Sequence, residues 1–458
     1  MSAEPRLDDL PVRVPLVRAP MGILASLDAA RRNVLSIIPD LATRQPMVSG
    51  RTGKRWHMVM DPGAIRRILL ENLDNYPKSL VTKNLLRPAI GESLFIAEGA
   101  QWRWQRRTVA PVFSHRNVAN LAPVMTAAAE ASAARIAAAG GARAVDLAAD
   151  MVRTTFDVIA EVTFSGDGSF DASGVHRAID AYIAEAGRIS LLDILGAPDW
   201  VPRPRRLLFA RGAVREMRRV ADAAIEARRA RGPAPGVPDL LDLMLAGEDP
   251  ESGRRMTTAE LRDNLLTFIV AGHETTALAL AWALYLCAFD QQVQEAARRE
   301  LNAVLGARRA VTGADVAALP LVRQIIDEAL RLYPPAGMIS RTALAADTLC
   351  GREIRPGDTV IIPIYALHRN RLLWAEPDAF RPDRFADRKR IARYGYLPFG
   401  DGPRICIGAS FAIQEAVIVL GTLLRRFRFR PVPGRQPRPV MIITLRPEGG
   451  VWLQAEAL

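Results

Sequence analysis

The run Pro398-Phe399-Gly400-Asp401-Gly402-Pro403-Arg404-Ile405-Cys406-Ile407-Gly408 is rich in glycine and proline and reads as a loop; a continuous apolar helix is predicted directly after it, over 409–424. Cys406 therefore sits just ahead of a helix N-terminus, where peptide dipoles and unpaired backbone N–H groups favour a thiolate over a thiol. Gly400, Gly402 and Gly408 allow tight turns and the close approach of a flat, bulky group. Phe399 can pack over the sulfur, and Arg404 supplies a cation two residues away. Such a thiolate suits a soft or borderline metal. The pattern F-x-x-G-x-R-x-C-x-G arises by chance with a probability on the order of 10⁻⁴ or less.

Beyond the loop, the composition narrows the alternatives. The chain has 458 residues, 49% of them apolar and 24% charged, enough to bury a large core and to exclude a disordered protein. Three cysteines, Cys287, Cys350 and Cys406, exclude a disulfide scaffold. Cys287 and Cys350 read as small hydrophobes. The net charge of +12 is almost all arginine, the only lysines being Lys54, Lys78, Lys83 and Lys389. No run of five like charges appears, so no nucleic-acid partner is expected. Residues 1–20 mix acids with prolines, and the most apolar run, 277–289, is shorter than the roughly 20 residues a bilayer needs. The expectation is a cytoplasmic protein without a membrane anchor.

Helical spacing dominates 62–334, with further helix over 406–426. Thr257 with Glu260 predicts the capped start of a long helix that runs to about 289. Another helix runs from about 319 and stops at Tyr333-Pro334-Pro335. Strand signals cluster near 46–60, 339–366 and 427–454. Segments 348–354 and 359–364 read as one hairpin, and 440–445 and 451–454 read as strands that flank a Pro/Gly turn. The fold class expected is mainly α with small β-sheets, as a single domain over 1–458.

No second Cys or His lies near Cys406, so a zinc site is excluded. A lone thiolate implies a metal whose other ligands come from elsewhere, and haem is the obvious case. The segment resembles the haem-binding signature of the cytochromes P450. The resemblance extends to four further places and implies the cytochrome P450 fold, with Cys406 as metal ligand and Phe399, Gly400, Gly408 and Arg404 beside the cofactor. Within the long helix, Ala271-Gly272-His273-Glu274-Thr275-Thr276 sets an acid beside a hydroxyl in apolar surroundings, a costly arrangement to bury without purpose. Gly272 and the two threonines suggest a local distortion there. The similar family segment crosses the haem, which implies Ala271 against the cofactor and Glu274 and Thr275 as proton-handling catalytic residues. Glu328 and Arg331 resemble the family's E-x-x-R, with Arg384 as third member, implying a structural lock for the cysteine loop. That spacing also occurs at Glu185/Arg188, Glu216/Arg219, Glu226/Arg229, Glu251/Arg254 and Glu295/Arg298; position before Tyr333 selects Glu328. Trp102 and Arg106 match a W-x-x-x-R stretch, and with Arg341 and Arg404 they imply donors to haem propionates.

Phe95, Ala336 and Met338 are expected to line the substrate pocket with Ala271 and Thr275. The resemblance implies a haem-thiolate monooxygenase carrying heme b (iron protoporphyrin IX). It would use O2 and insert one oxygen atom into a C–H or C=C bond of an apolar small molecule. Electrons would come from NAD(P)H through a separate ferredoxin, or flavodoxin, and its reductase, to a monomeric enzyme. Arg103, Arg107, Arg388, Lys389, Arg390 and Arg393 are expected on the docking face for that carrier. The alternatives are an H2O2-dependent peroxygenase, which generally lacks the acid–alcohol pair, and a non-catalytic haem-binding sensor or carrier.

Overall fold

A computed structural model describes residues 10–139, 143–164, 204–233, 236–308 and 310–458. Its centre is the helix Thr258–Phe289. Thr257 caps it: the side chain accepts from the Glu260 N–H, and the Glu260 carboxylate accepts from the Thr257 N–H in return. Nearly every residue from Ala277 to Ala288 is fully buried, because helices Leu147–Phe164, Pro204–Arg231, Pro320–Leu332 and Ala409–Arg426 pack around it. The whole helix has the length and apolarity to cross a membrane, but it is mostly buried among these neighbours. Trp282 stacks on Tyr333 with ring centroids 4.0 Å apart and donates its indole N–H to the Leu445 carbonyl at 3.1 Å. That contact ties the long helix both to the end of helix Pro320–Leu332 and to the C-terminal strands.

The largest sheet runs Met47–Thr52, Lys54–Val59, Thr359–Ile362, Ile339–Thr342. Its inner pair, Lys54–Val59 with Thr359–Ile362, is parallel, and Arg341 on the last strand faces Val360. The cysteine loop leads directly into helix Ala409–Arg426, whose inward face from Ala416 to Leu424 is buried against the long helix.

Three sequence expectations change. Segment 348–354 is two short strands, Asp347–Leu349 and Arg352–Ile354, folded back at Cys350-Gly351, both at positive φ; Thr359–Ile362 pairs elsewhere. Near the C-terminus Arg438–Met441 pairs with Leu445–Glu448, whereas Trp452–Ala457 pairs with Phe427–Pro431 and Ala144–Asp146. The last of these is a strand inside the region where helical spacing dominates. Helix Thr258–Phe289 is continuous through Gly272, because Thr275 bonds back to the Ala271 carbonyl at 2.7 Å without breaking the ladder.

Candidate active site

Cys406 stands three residues ahead of helix Ala409–Arg426 and donates its backbone N–H to the Phe399 carbonyl at 2.9 Å. Gly400 and Gly402 make the turn at φ +70° and +73°, and a Cβ on Gly402 would meet the Leu69 carbonyl oxygen at 2.3 Å. Gly408 differs: its φ is ordinary, and a Cβ there would meet nothing within 4 Å. Cys406 is itself exposed. The backbone thus leaves open room beside the sulfur. The thiol is pushed up by the desolvation of the surrounding protein, and the Gly408 N–H and Arg106 only partly offset this.

Around the loop the expected residues converge. Helix Gly99–Val109 carries Trp102, 7% exposed, and Arg106, which donates to the Ile405 carbonyl at 3.0 Å. The Arg404 guanidinium lies 4.4 Å over the Trp102 ring, donates twice to the Ala97 carbonyl and pairs with Glu98. Arg341 is 3% exposed, and its Nε and one Nη have no partner. Burial, then repulsion by Arg404, lowers its pKa to about 10.

Three members of this cluster were not singled out from the sequence: Lys78, Lys83 and Glu98. Lys78 bridges to Arg341 through the backbone, and its ammonium lies 4.1 Å over the Phe95 ring. Burial, then Arg341 and Arg404, depress it well below the usual lysine range. Lys83 approaches Glu98 at 3.4 Å. Lys78, Lys83, Arg341 and Arg404 thus share the single carboxylate of Glu98. The one available clue was that Lys78 and Lys83 are two of only four lysines in an arginine-rich chain.

A cavity of about 1430 Å³ adjoins the cluster. Phe95, Ala271, Thr275, Ala336 and Met338 all line it, as expected, and so does Glu274. Ala271 is exposed although it lies mid-helix, and Ala336 is exposed although the residues before it are buried. Cys406 is not among the residues lining this cavity. Glu274 is 7% exposed, so it is not a solvent-facing helix acid. His273 is buried too, with Nδ1 against the Ile269 carbonyl at 2.7 Å.

Behind the loop lies a buried ion network. Arg331 forks onto Glu328 at 2.6 and 2.7 Å, both side chains being fully buried. It also donates to the carbonyls of His368, Pro377 and Ala379. Arg384 reaches the same carboxylate at 3.1 Å. His368, another residue sequence reasoning passed over, accepts the Leu397 N–H at 2.8 Å, just where the cysteine loop begins. Of the rival pairs, Glu216/Arg219 and Glu226/Arg229 are exposed side-chain pairs, Glu295/Arg298 lies under the C-terminal strands, Glu251 and Arg254 do not pair with each other, and Glu185/Arg188 lies outside the described residues.

A mainly helical chain with a lone cysteine before a helix, a long helix crossing an apolar cavity and a buried E-x-x-R network defines the haem-thiolate class. The cytochrome P450 family model matches residues 20–453, and the chain belongs to that family. It is similar to cyclooctatin synthase of Streptomyces melanosporofaciens, 32% identical over 91% of this chain and 90% of that protein. It is also similar to cyclooctat-9-en-7-ol 5-monooxygenase of the same organism, 31% identical over 90% and 88%. Human cytochrome P450 4F3 is 31% identical over 88% and 82%. The chain is a cytochrome P450 monooxygenase, an oxidoreductase whose family implies haem, O2 and a redox partner.

The residues fit that cofactor. The open room at Gly408 and Cys406 suits a flat ring, and the partnerless nitrogens of Arg341 within a cationic cluster suit its carboxylates.

Proposed function

We propose that Cys406 ligates the iron of heme b, and that Trp102, Arg106, Arg341 and Arg404 hold its propionates, with Lys78 as a further donor. The observation that carries this reading is the buried guanidinium of Arg341, whose Nε and one Nη lack a partner and whose attracting carboxylate, Glu98, is already paired with Lys83 and Arg404. The chain has no C-x-x-C-H segment, which favours a group held without covalent attachment. Haem bound by a thiolate supplies the cleavage of O2.

The chain's own residues supply the rest. Phe399, Gly400 and Gly408 shape the loop around the sulfur, and Ala271 leaves room on the opposite, helical side. Thr275 spends its own hydrogen on the Ala271 carbonyl, which leaves its oxygen lone pairs free to accept another bond. Glu274, beside it, is the carboxylate available to take up and release protons. Glu328, Arg331 and Arg384 fix the segment that precedes the loop. Phe95, Ala336 and Met338 give the cavity an apolar lining, which supports an apolar small molecule as substrate. We assign electron supply to a separate ferredoxin or flavodoxin with an NAD(P)H-dependent reductase, and the cytoplasm as its site of action. Of the docking cations, Arg107 is committed to Asp249 and Glu251, and Arg388 to Asp327. Arg103, Lys389, Arg390 and Arg393 are the more available.

A titration of the ferric protein with lipophilic compounds tests the substrate reading. An apolar ligand that displaces water should shift the Soret band from low to high spin; a response confined to small hydrophilic compounds would overturn it.

A further inference from the structure

Glu274 is held by two groups to which the acid–alcohol pair assigns no role. Thr444 Oγ donates to Glu274 Oε1 at 2.9 Å, and the Arg446 guanidinium pairs with the same oxygen. Arg446 Nε also donates to Thr444 Oγ at 3.3 Å, so the three side chains close a ring. The Thr444 bond and the nearest approach of Arg446 both fall on Oε1; among the described residues no protein group hydrogen-bonds to Oε2.

The ring spans the protein wall. The Glu274 side chain is 9% exposed and that of Arg446 43%. Thr444 and Arg446 come from the turn and second strand of the hairpin that pairs Arg438–Met441 with Leu445–Glu448, far from Glu274 in sequence. That turn, Ile442 to Thr444, lines the same cavity as Glu274 and Thr275. An arginine does not release its proton near neutral pH, so Arg446 is no relay. It compensates the buried carboxylate and fixes its orientation.

We propose that Thr444 and Arg446 are positioning residues for proton delivery: they clamp Oε1 of Glu274, so that Oε2 is the atom that exchanges protons, and the exposed guanidinium marks where solvent reaches it. A proton from water adds to Oε2, forming the O–H of a carboxylic acid. The same proton then leaves toward the Thr275 side and the carboxylate returns, with no electron moved. The inference rests on the reading of Glu274 and Thr275 as the proton-handling pair.

The test uses the haem-loaded enzyme with a plant-type ferredoxin, its reductase, NADPH and lauric acid as the apolar probe. NADPH oxidation is measured in H2O and D2O for Arg446→Gln, Arg446→Lys, Thr444→Val and Glu274→Gln, normalised to the reduced CO spectrum. Arg446→Gln should slow oxidation about tenfold, a part of the roughly 10²-fold or more that positioned proton transfer supplies, and should raise the solvent isotope effect. Arg446→Lys should restore most of the rate, and Thr444→Val should fall between. Parent-like rate and isotope effect in Arg446→Gln, with Glu274→Gln impaired, would overturn the clamp alone. A parent-like Glu274→Gln would instead remove the underlying reading, and the clamp with it. Should Arg446→Gln lose the CO spectrum, Arg446→Lys decides: a folded Lys variant as slow as Glu274→Gln contradicts the clamp.

Discussion

Arg341 shares one carboxylate, Glu98, with three other cations and is left undercompensated, and that gives it a double signature. Its partnerless nitrogens cost stability in the empty chain and contribute binding once an anion arrives. Arg341→Leu should leave the apoprotein at least as stable to urea while weakening haem retention by about 1–3 kcal/mol, read as faster transfer to a haem acceptor. Equal retention would remove Arg341 from the propionate set. Thr275 makes a different prediction. Thr275→Ala should keep haem and the CO spectrum but divert electrons to peroxide, with product per NAD(P)H falling within the roughly 10²–10⁴-fold range of positioned proton transfer. Added hydrogen peroxide should restore part of the turnover; unchanged product per NAD(P)H would contradict the assignment. Residues that carry a motif were legible at this scale: Cys406, Glu328, Thr275. Lys78, Glu98 and Arg446 were not, because Lys78 meets Arg341, Glu98 meets Arg404 and Arg446 meets Glu274 from distant parts of the chain, and no spacing announces them.

At the scale of elements, capping and proline rules located the helices well. The Thr257–Glu260 box starts the long helix, and Pro334-Pro335 follows the end of helix Pro320–Leu332. Short strands were less legible, since segment 348–354 hides a turn at Cys350-Gly351 and alternation over three residues carries little information. The link from lock to loop passes through His368, whose carbonyl accepts from Arg331 and whose ring accepts from Leu397. Burial, then the Arg331 charge, lowers its pKa to about 3. Unfolded, the imidazole titrates near 6.5, so between about pH 6.5 and 3 the unfolded chain binds the extra proton and stability rises with pH. The contribution is fully present above 6.5 and is lost as pH falls through that window. Urea midpoints at pH 7.5 and 5 should therefore drop more for the parent than for His368→Gln. Equal drops would show that His368 is not the acid-sensitive strut.

For the whole molecule, the excess of arginine has two destinations. Many arginines are tied internally, such as Arg107 to Asp249 and Arg228 to Asp239 and Asp242. Others, with Lys389, remain at the surface near the cysteine loop's flanking segments. Reduction by an acidic ferredoxin should slow as salt rises, because exposed charges are screened over roughly 8–10 Å at physiological ionic strength. A salt-independent rate would leave these cations as a solubilising surface. The network behind the loop and the cationic cluster beside it both bear on the segment that carries one sulfur. The direct measurement is the reduced CO spectrum of Cys406→Ser. The account predicts haem still bound but the red-shifted Soret band of thiolate ligation gone; a variant that keeps that band would contradict it and pass the ligand to Cys287 or Cys350.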